Sequence, residues 1–193
     1  MSATKEDIIA LPNPHLRKRS KRVGVVTDEI LKLIEDMKSA TLDWEASREH
    51  EVGVALAAVQ IDVLYRVVVV RNNFDKREDH SFHVFINPEI VKKEGKVTED
   101  YEGCLSIKDL YGKVPRHQKV KLKALNEHGK EFRVTVEGFL ARIFQHEIDH
   151  TNGIVYIDHI KDNPKAFYRL SDQGKLEQLD YDKDVKDNAE LWG

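Results

Sequence analysis

Two histidines four residues apart flank an acid in the run His146-Glu147-Ile148-Asp149-His150. On a helix, residues i and i+4 share a face, so both imidazoles reach one divalent ion, while Glu147 lies close enough to touch a water on it. This is the geometry of a metal hydrolase; the plainer reading is a polar helix face that happens to carry two histidines. A catalytic site needs a third protein ligand and one open position. Metzincin-type peptidases extend the pattern to HExxHxxGxxH, and here Gly153 fits but Tyr156 stands where the third histidine belongs. For a downstream glutamate, as in thermolysin-like enzymes, the nearest candidate is Glu177, in an acidic stretch where no well-packed helix is predicted. Cys104 is the remaining candidate. It is the single cysteine and sits in Glu102-Gly103-Cys104-Leu105-Ser106, where Gly103 lets the backbone approach another group closely. A thiolate would complete a site of two nitrogens and one sulfur; the plainer reading is a small buried hydrophobe.

The elements that must position these residues follow from periodicity. Ile30, Leu33, Ile34, Met37 and then Leu42 predict a helix from Thr27, with Thr27 as N-cap. The run Arg66–Arg71 (RVVVVR) predicts a strand buried on both faces, and Phe82–Pro88 a second strand ended by Asn-Pro. Lys119–Ala124 and Glu131–Val136 alternate around the turn Asn126–Gly129, which predicts a hairpin with one wet face. Phe139, Leu140, Ile143 and Phe144 return to helical spacing, and Asn152-Gly153 supplies the stop. The expected fold is α+β, with small antiparallel sheets around a central helix bearing His146 and His150. The chain has 193 residues and a net charge of −3 from interleaved acids and bases. One domain is expected, without the field that attracts nucleic acid. Residues 171–193 carry seven acids against three lysines and are expected to form a loosely attached acidic tail, leaving 1–170 as the catalytic unit. The basic stretch His15–Val23 is read as solvated surface. No apolar run is long enough to span a bilayer, and one cysteine excludes an internal disulfide, so a cytoplasmic location is expected.

Three segments in order, GVALAAVQ (Gly53–Gln60), EGCLS (Glu102–Ser106) and QHEIDH (Gln145–His150), resemble the three motifs of the peptide deformylases, GxGxAAxQ, EGCLS and QHExDH. The likeness runs from about Ile8 to Ile160. It implies a metal-dependent hydrolase that removes the formyl group from N-formylmethionyl nascent peptides and releases formate. It also implies Cys104, His146 and His150 as metal ligands, with Fe²⁺ as the usual ion and Zn²⁺, Ni²⁺ or Co²⁺ able to substitute. Glu147 then matches the catalytic acid and base. Gln60 and the Leu105 N–H match the groups that hold the formyl oxygen, and Gly53, Val54, Ala55 and Gly103 the segments that bind the peptide. The expected enzyme is a monomer. Contact with the ribosome stays open, because the basic C-terminal helix of some bacterial members is replaced here by an acidic end.

Two departures stand out. Ala55 replaces the second motif glycine, so its methyl is expected to crowd the peptide or to exclude a glycine-only backbone angle. The charged stretch DWEASREHE before Gly53 is expected to alter the rim of the cleft. Glu102 and Asp149 are read as partners for an arginine or a ligand histidine, without assignment. Arg142 is read as either lining the pocket or facing solvent, and His117, His128 and His159 as residues without a role.

Overall fold

The β-branched run Val67–Arg71 forms strand β2, and every one of its residues is buried. In the computed structural model, which describes residues 2–192, β2 lies antiparallel between β1 (Ala55–Ala57) and the long β3 (Phe82–Cys104). The sheet continues through β4 (Ile107–Leu125) to β6 (Phe167–Leu170) and β7 (Leu176–Gln178), while β5 (Glu131–Glu137) pairs with the far half of β4. All these pairings are antiparallel, so the expected small sheets are joined into one by the β3–β4 ribbon. That ribbon shifts register at four places, and such bulges bend a strand pair.

The first shift explains why β3 does not stop at Asn-Pro as the sequence suggests. Asn87 adopts φ +52°, its side-chain oxygen accepts from the Val23 N–H and its amide donates to the Val23 carbonyl, both at 2.8 Å. The ladder slips between Ile86 and Glu89 and then resumes, so Pro88 sits where no ladder hydrogen bond is required. The β4–β5 hairpin matches its alternation, with Val120, Leu122 and Ala124 buried between lysines.

Helix α1 (Asp28–Ala46) packs Ile30, Leu33, Ile34 and Met37 against the sheet residues Val67, Val69 and Ile86. Thr27 occupies the N-cap position, but its side chain makes no capping bond, and the buried stripe runs on through Ala40 and Trp44 rather than Leu42. Helix α2 (Gly138–Thr151) buries ten of its residues and packs Ile143, Phe144 and Ile148 against Val68, Val70, Phe85 and Leu122. Phe139 and Leu140 are exposed, contrary to the apolar spacing, because the buried face begins only at Ala141. Gly153 ends the turn at φ +77°, where a Cβ would collide with the Arg17 carbonyl. Only glycine meets both requirements.

The C-terminal segment is not loose. β7 pairs with β6, so residue 170 falls inside a hairpin rather than at a boundary. Val185 is fully buried in a cluster with Cys104, Val155 and Phe167. The Trp192 indole donates to the Val185 carbonyl at 2.6 Å, and Arg17 donates to the Leu191 carbonyl at 3.2 Å. The few large apolar residues of this acidic stretch converge on one patch, which composition cannot reveal. In the basic stretch, Leu16 is fully buried while Lys18, Arg19, Lys21 and Arg22 face solvent.

Candidate metal centre and active cleft

Helix α2 places His146 and His150 on one face, and β3 ends at Cys104 directly before the two-residue turn Leu105-Ser106. The Cys104 Sγ lies 3.3 Å from His150 Nε2, which lies 3.2 Å from His146 Nε2. All three donor atoms fall within 4.8 Å of one another, the only such cluster of His, Cys, Asp or Glu found among the described residues. Each of the three side chains is buried. Two imidazole nitrogens and a thiol converging this closely form a donor set that one cation would fit. One thiolate and two imidazoles suit Fe²⁺, Zn²⁺, Ni²⁺ or Co²⁺. With protons alone, burial opposes a charge on His146, yet Cys104 and Glu102 outweigh it and hold its pKa well above the usual value. His150 is driven well below, first by burial and then by the charge on His146. Tyr156, where a metzincin would place its third histidine, instead stacks on the His146 ring and donates to the Leu110 carbonyl at 2.9 Å.

Glu147 is buried, and burial raises its pKa to about 7. Its Oε2 is buried with no hydrogen-bond partner in the chain. A carboxylate of that pKa both accepts and returns a proton near neutral pH. Gln60 is engaged at both ends of its amide. Its Oε1 accepts from the Ala57 N–H at 2.9 Å, capping the 3-10 turn Ala58–Ile61, while its Nε2 lies 3.1 Å from Ser106 Oγ and 3.5 Å from Cys104 Sγ. The capping reading of this residue thus describes its Oε1, and its Nε2 stands beside the Cys104 thiol.

The residues around the three donors form a network that the sequence left unassigned. Glu102 accepts from His146 Nδ1 at 3.0 Å, from Arg116 Nε and Nη2 at 2.9 and 3.1 Å, and from Arg142 Nη1 at 2.8 Å. This commits His146 Nδ1 to Glu102 and leaves Nε2 facing the His150 and Cys104 donor atoms. Arg142 is buried, not solvent-facing, and also donates to the carbonyls of Val114 and Thr98. Arg116 escaped the sequence reading altogether, because a lone arginine in an alternating strand looks like wet-face decoration. Asp149 accepts from Arg116 Nη1 at 2.6 Å and pairs with His159 Nε2 at 2.7 Å, so His159 is not idle.

Burial raises the Glu102 pKa, but hydrogen bonds from His146 and Arg116 outweigh it and hold the group at about 2. A carboxylate depressed on folding contributes stability that is complete above its unfolded pKa of about 4.5 and drains away as pH falls toward 2. We expect Glu102→Gln to cost on the order of 3 kcal/mol at pH 7, with the gap to the wild type narrowing below about pH 4.5. Thermal unfolding of both proteins from pH 7 to pH 3 measures it; a gap that stays constant with pH would refute the assignment.

These groups open onto a cleft of about 580 Å³ lined by Val54, Ala55, Gln60, Gly103, Cys104, Leu105, His146 and Glu147. One wall is β1, the edge strand of the sheet. The Arg71 N–H donates to the Val54 carbonyl, so the alternation of an antiparallel ladder turns the Ala55 N–H and C=O away from β2 toward the free edge. Ala55 is extended and not among the residues with positive φ, which removes one of the two expected objections to alanine here; its methyl remains. Gly53 allows a close approach, since a Cβ would lie 2.8 Å from the Thr41 carbonyl, and its N–H donates to Glu45 at 2.9 Å. At Gly103 a Cβ would meet the Tyr111 ring at 2.7 Å. The charged stretch does shape the rim: Trp44, His50 and Glu51 line the cleft, and Glu51 accepts from the Tyr111 hydroxyl at 2.8 Å. Arg77 holds this rim by donating to the carbonyls of Arg48, Glu49 and Glu51.

Residues 5–166 match the sequence profile described as polypeptide deformylase. Peptide deformylase of Halothermothrix orenii is 45% identical over 148 residues, which cover 77% of this chain and 88% of the relative. That of Aquifex aeolicus is 43% identical over 155 residues, covering 80% and 87%. The crystal structure of a peptide deformylase from Legionella pneumophila superposes with a TM-score of 0.70 at 40% identity, covering 82% of this chain and 86% of that one. A peptide deformylase from Synechococcus elongatus, solved in complex with actinonin, gives 0.71 at 30% identity, covering 81% and 79%.

Proposed function

The chain belongs to the polypeptide deformylase family, metal-dependent hydrolases that remove the N-terminal formyl group from nascent proteins, and from that premise we propose how its own residues carry out the reaction. Cys104, His146 and His150 hold the ion, and in our reading that ion is Fe²⁺. When bound, it supplies positive charge that lowers the pKa of a water and polarises the formyl carbonyl. Glu147 accepts the proton of the attacking water and delivers it to the departing amine. Its pKa of about 7 supports both directions of transfer. Gln60 Nε2 and the Leu105 N–H meet the formyl oxygen as negative charge gathers on it. The outward-facing backbone of Ala55 pairs with the peptide as an added strand, with Val54 and Gly53 before it and Gly103 on the opposite wall. A methyl at residue 55 leaves those backbone bonds intact.

The observation that carries this reading is the convergence of one sulfur and two imidazole nitrogens within 4.8 Å, with Glu147 and Gln60 at the same cleft. Formate release from formyl-Met-Ala-Ser, assayed anaerobically, tests it. We expect activity to vanish on chelation and to return with Fe²⁺ or Ni²⁺. Full activity after the metal has been stripped would instead indicate a thiol hydrolase using Cys104. No described helix is long and apolar enough to cross a membrane.

A further inference from the structure

We propose that His159 is a positioning residue for the metal centre, acting through Asp149, Arg116 and Glu102 on ligand His146; this rests on the reading of His146 as a ligand. Four elements contribute to the chain. His159 lies on the 3-10 turn Tyr156–Ile160, Asp149 on α2, Arg116 on β4 and Glu102 on β3. The Arg116 guanidinium is planar, and it is pinned at three corners: Nε and Nη2 on the two Glu102 oxygens, Nη1 on Asp149 Oδ2. Glu102 Oε2 is shared between Arg116 and His146 Nδ1, so a rotation of the guanidinium plane moves the acceptor that orients the ligand ring.

The weak corner is the outer one. Glu102 and Arg116 are buried, but the Asp149 side chain is 19% exposed, so packing alone does not fix its rotamer. His159 closes this corner. Its Nε2 contacts the same Asp149 Oδ2 that Arg116 uses, at 2.7 Å, and stands 3.2 Å from Arg116 Nη1. With the imidazole gone, Asp149 is free to turn toward water, and the guanidinium keeps two anchors instead of three. The ligand ring then loses rigidity at a distance. His159 does not line the cleft, so substrate binding should be untouched.

Full-length protein loaded with Co²⁺ tests the idea in the wild type, His159→Leu and His159→Gln, reading the visible absorption of the bound metal, its rate of loss to a chelator, and KM and kcat separately. Direct hydrogen-bond partners of ligands are typically worth about 10- to 100-fold in metal affinity, and His159 is further removed. We therefore expect His159→Leu to lose cobalt about three- to tenfold faster with shifted absorption bands and unchanged KM. His159→Gln, whose amide still donates to Asp149, should stay within about twofold of wild type. Wild-type kinetics and spectrum in His159→Leu overturn the inference, as does equal impairment of both variants, which would trace the effect to the turn rather than the hydrogen bond. A wild type that takes up no cobalt overturns the metal-centre reading itself, and this inference with it.

Discussion

Cys104→Ala is expected to abolish both metal retention and deformylation, with activity falling by at least about 10³-fold. Two imidazoles alone leave a cation with too few protein ligands for a catalytic site, and the thiolate is also the one anionic ligand of the three. The side chain sits in the cluster of Val155, Phe167 and Val185, so truncating –CH2SH to a methyl there removes a single sulfur atom and little volume. The loss should therefore appear in metal content and not in the fold. Elemental analysis beside the formate assay measures it. A variant that keeps one metal per chain and continues to hydrolyse peptides would point to another third ligand, as in an internal peptidase.

Glu147→Gln separates chemistry from metal binding. The amide is nearly isosteric and cannot take a proton from water, so kcat should fall about 10²- to 10⁴-fold while metal content stays at the wild-type level. The pH profile carries the same information. Transfer begins from the carboxylate, so kcat/KM of the wild type should rise as pH climbs through the Glu147 pKa. Burial places that value at about 7, and a neighbouring cation lowers it, so the acid limb should lie at or below neutrality. The variant's residual rate should lack this limb. A Glu147→Gln enzyme of undiminished kcat would remove Glu147 from the mechanism.

Periodicity made α1, α2, β2 and the β4–β5 hairpin legible, since each buries one face or both and its residues repeat accordingly. The extent of β3 was not legible. Its passage through Asn87 and Pro88 depends on Val23, 64 residues away, which takes up the Asn87 side chain on both sides. The acidic end misled for a related reason: its composition resembles a free tail, whereas Val185 and Trp192 find their partners on the turn after α2 and on β6. Ala55 shows the reverse in part: the extended backbone of β1 demands no glycine there, while the methyl that the motif made suspect remains at the cleft.

Residue type and local spacing were enough to mark the candidate reactive atoms. Spacing of i and i+4 set two imidazoles on one face, and residue type supplied the sulfur, the carboxylate and the amide. How they are held became visible only in the folded chain. Glu102 grips His146 from 44 residues away and is gripped in turn by Arg116 and Arg142, 14 and 40 residues away, while His159 reaches Asp149 from the next turn. Ligand identity is a local property of a short segment and leaves a local trace. Orientation and ionisation of a buried group depend on what the fold brings beside it, and charged partners carry no periodicity from which that neighbour could be read.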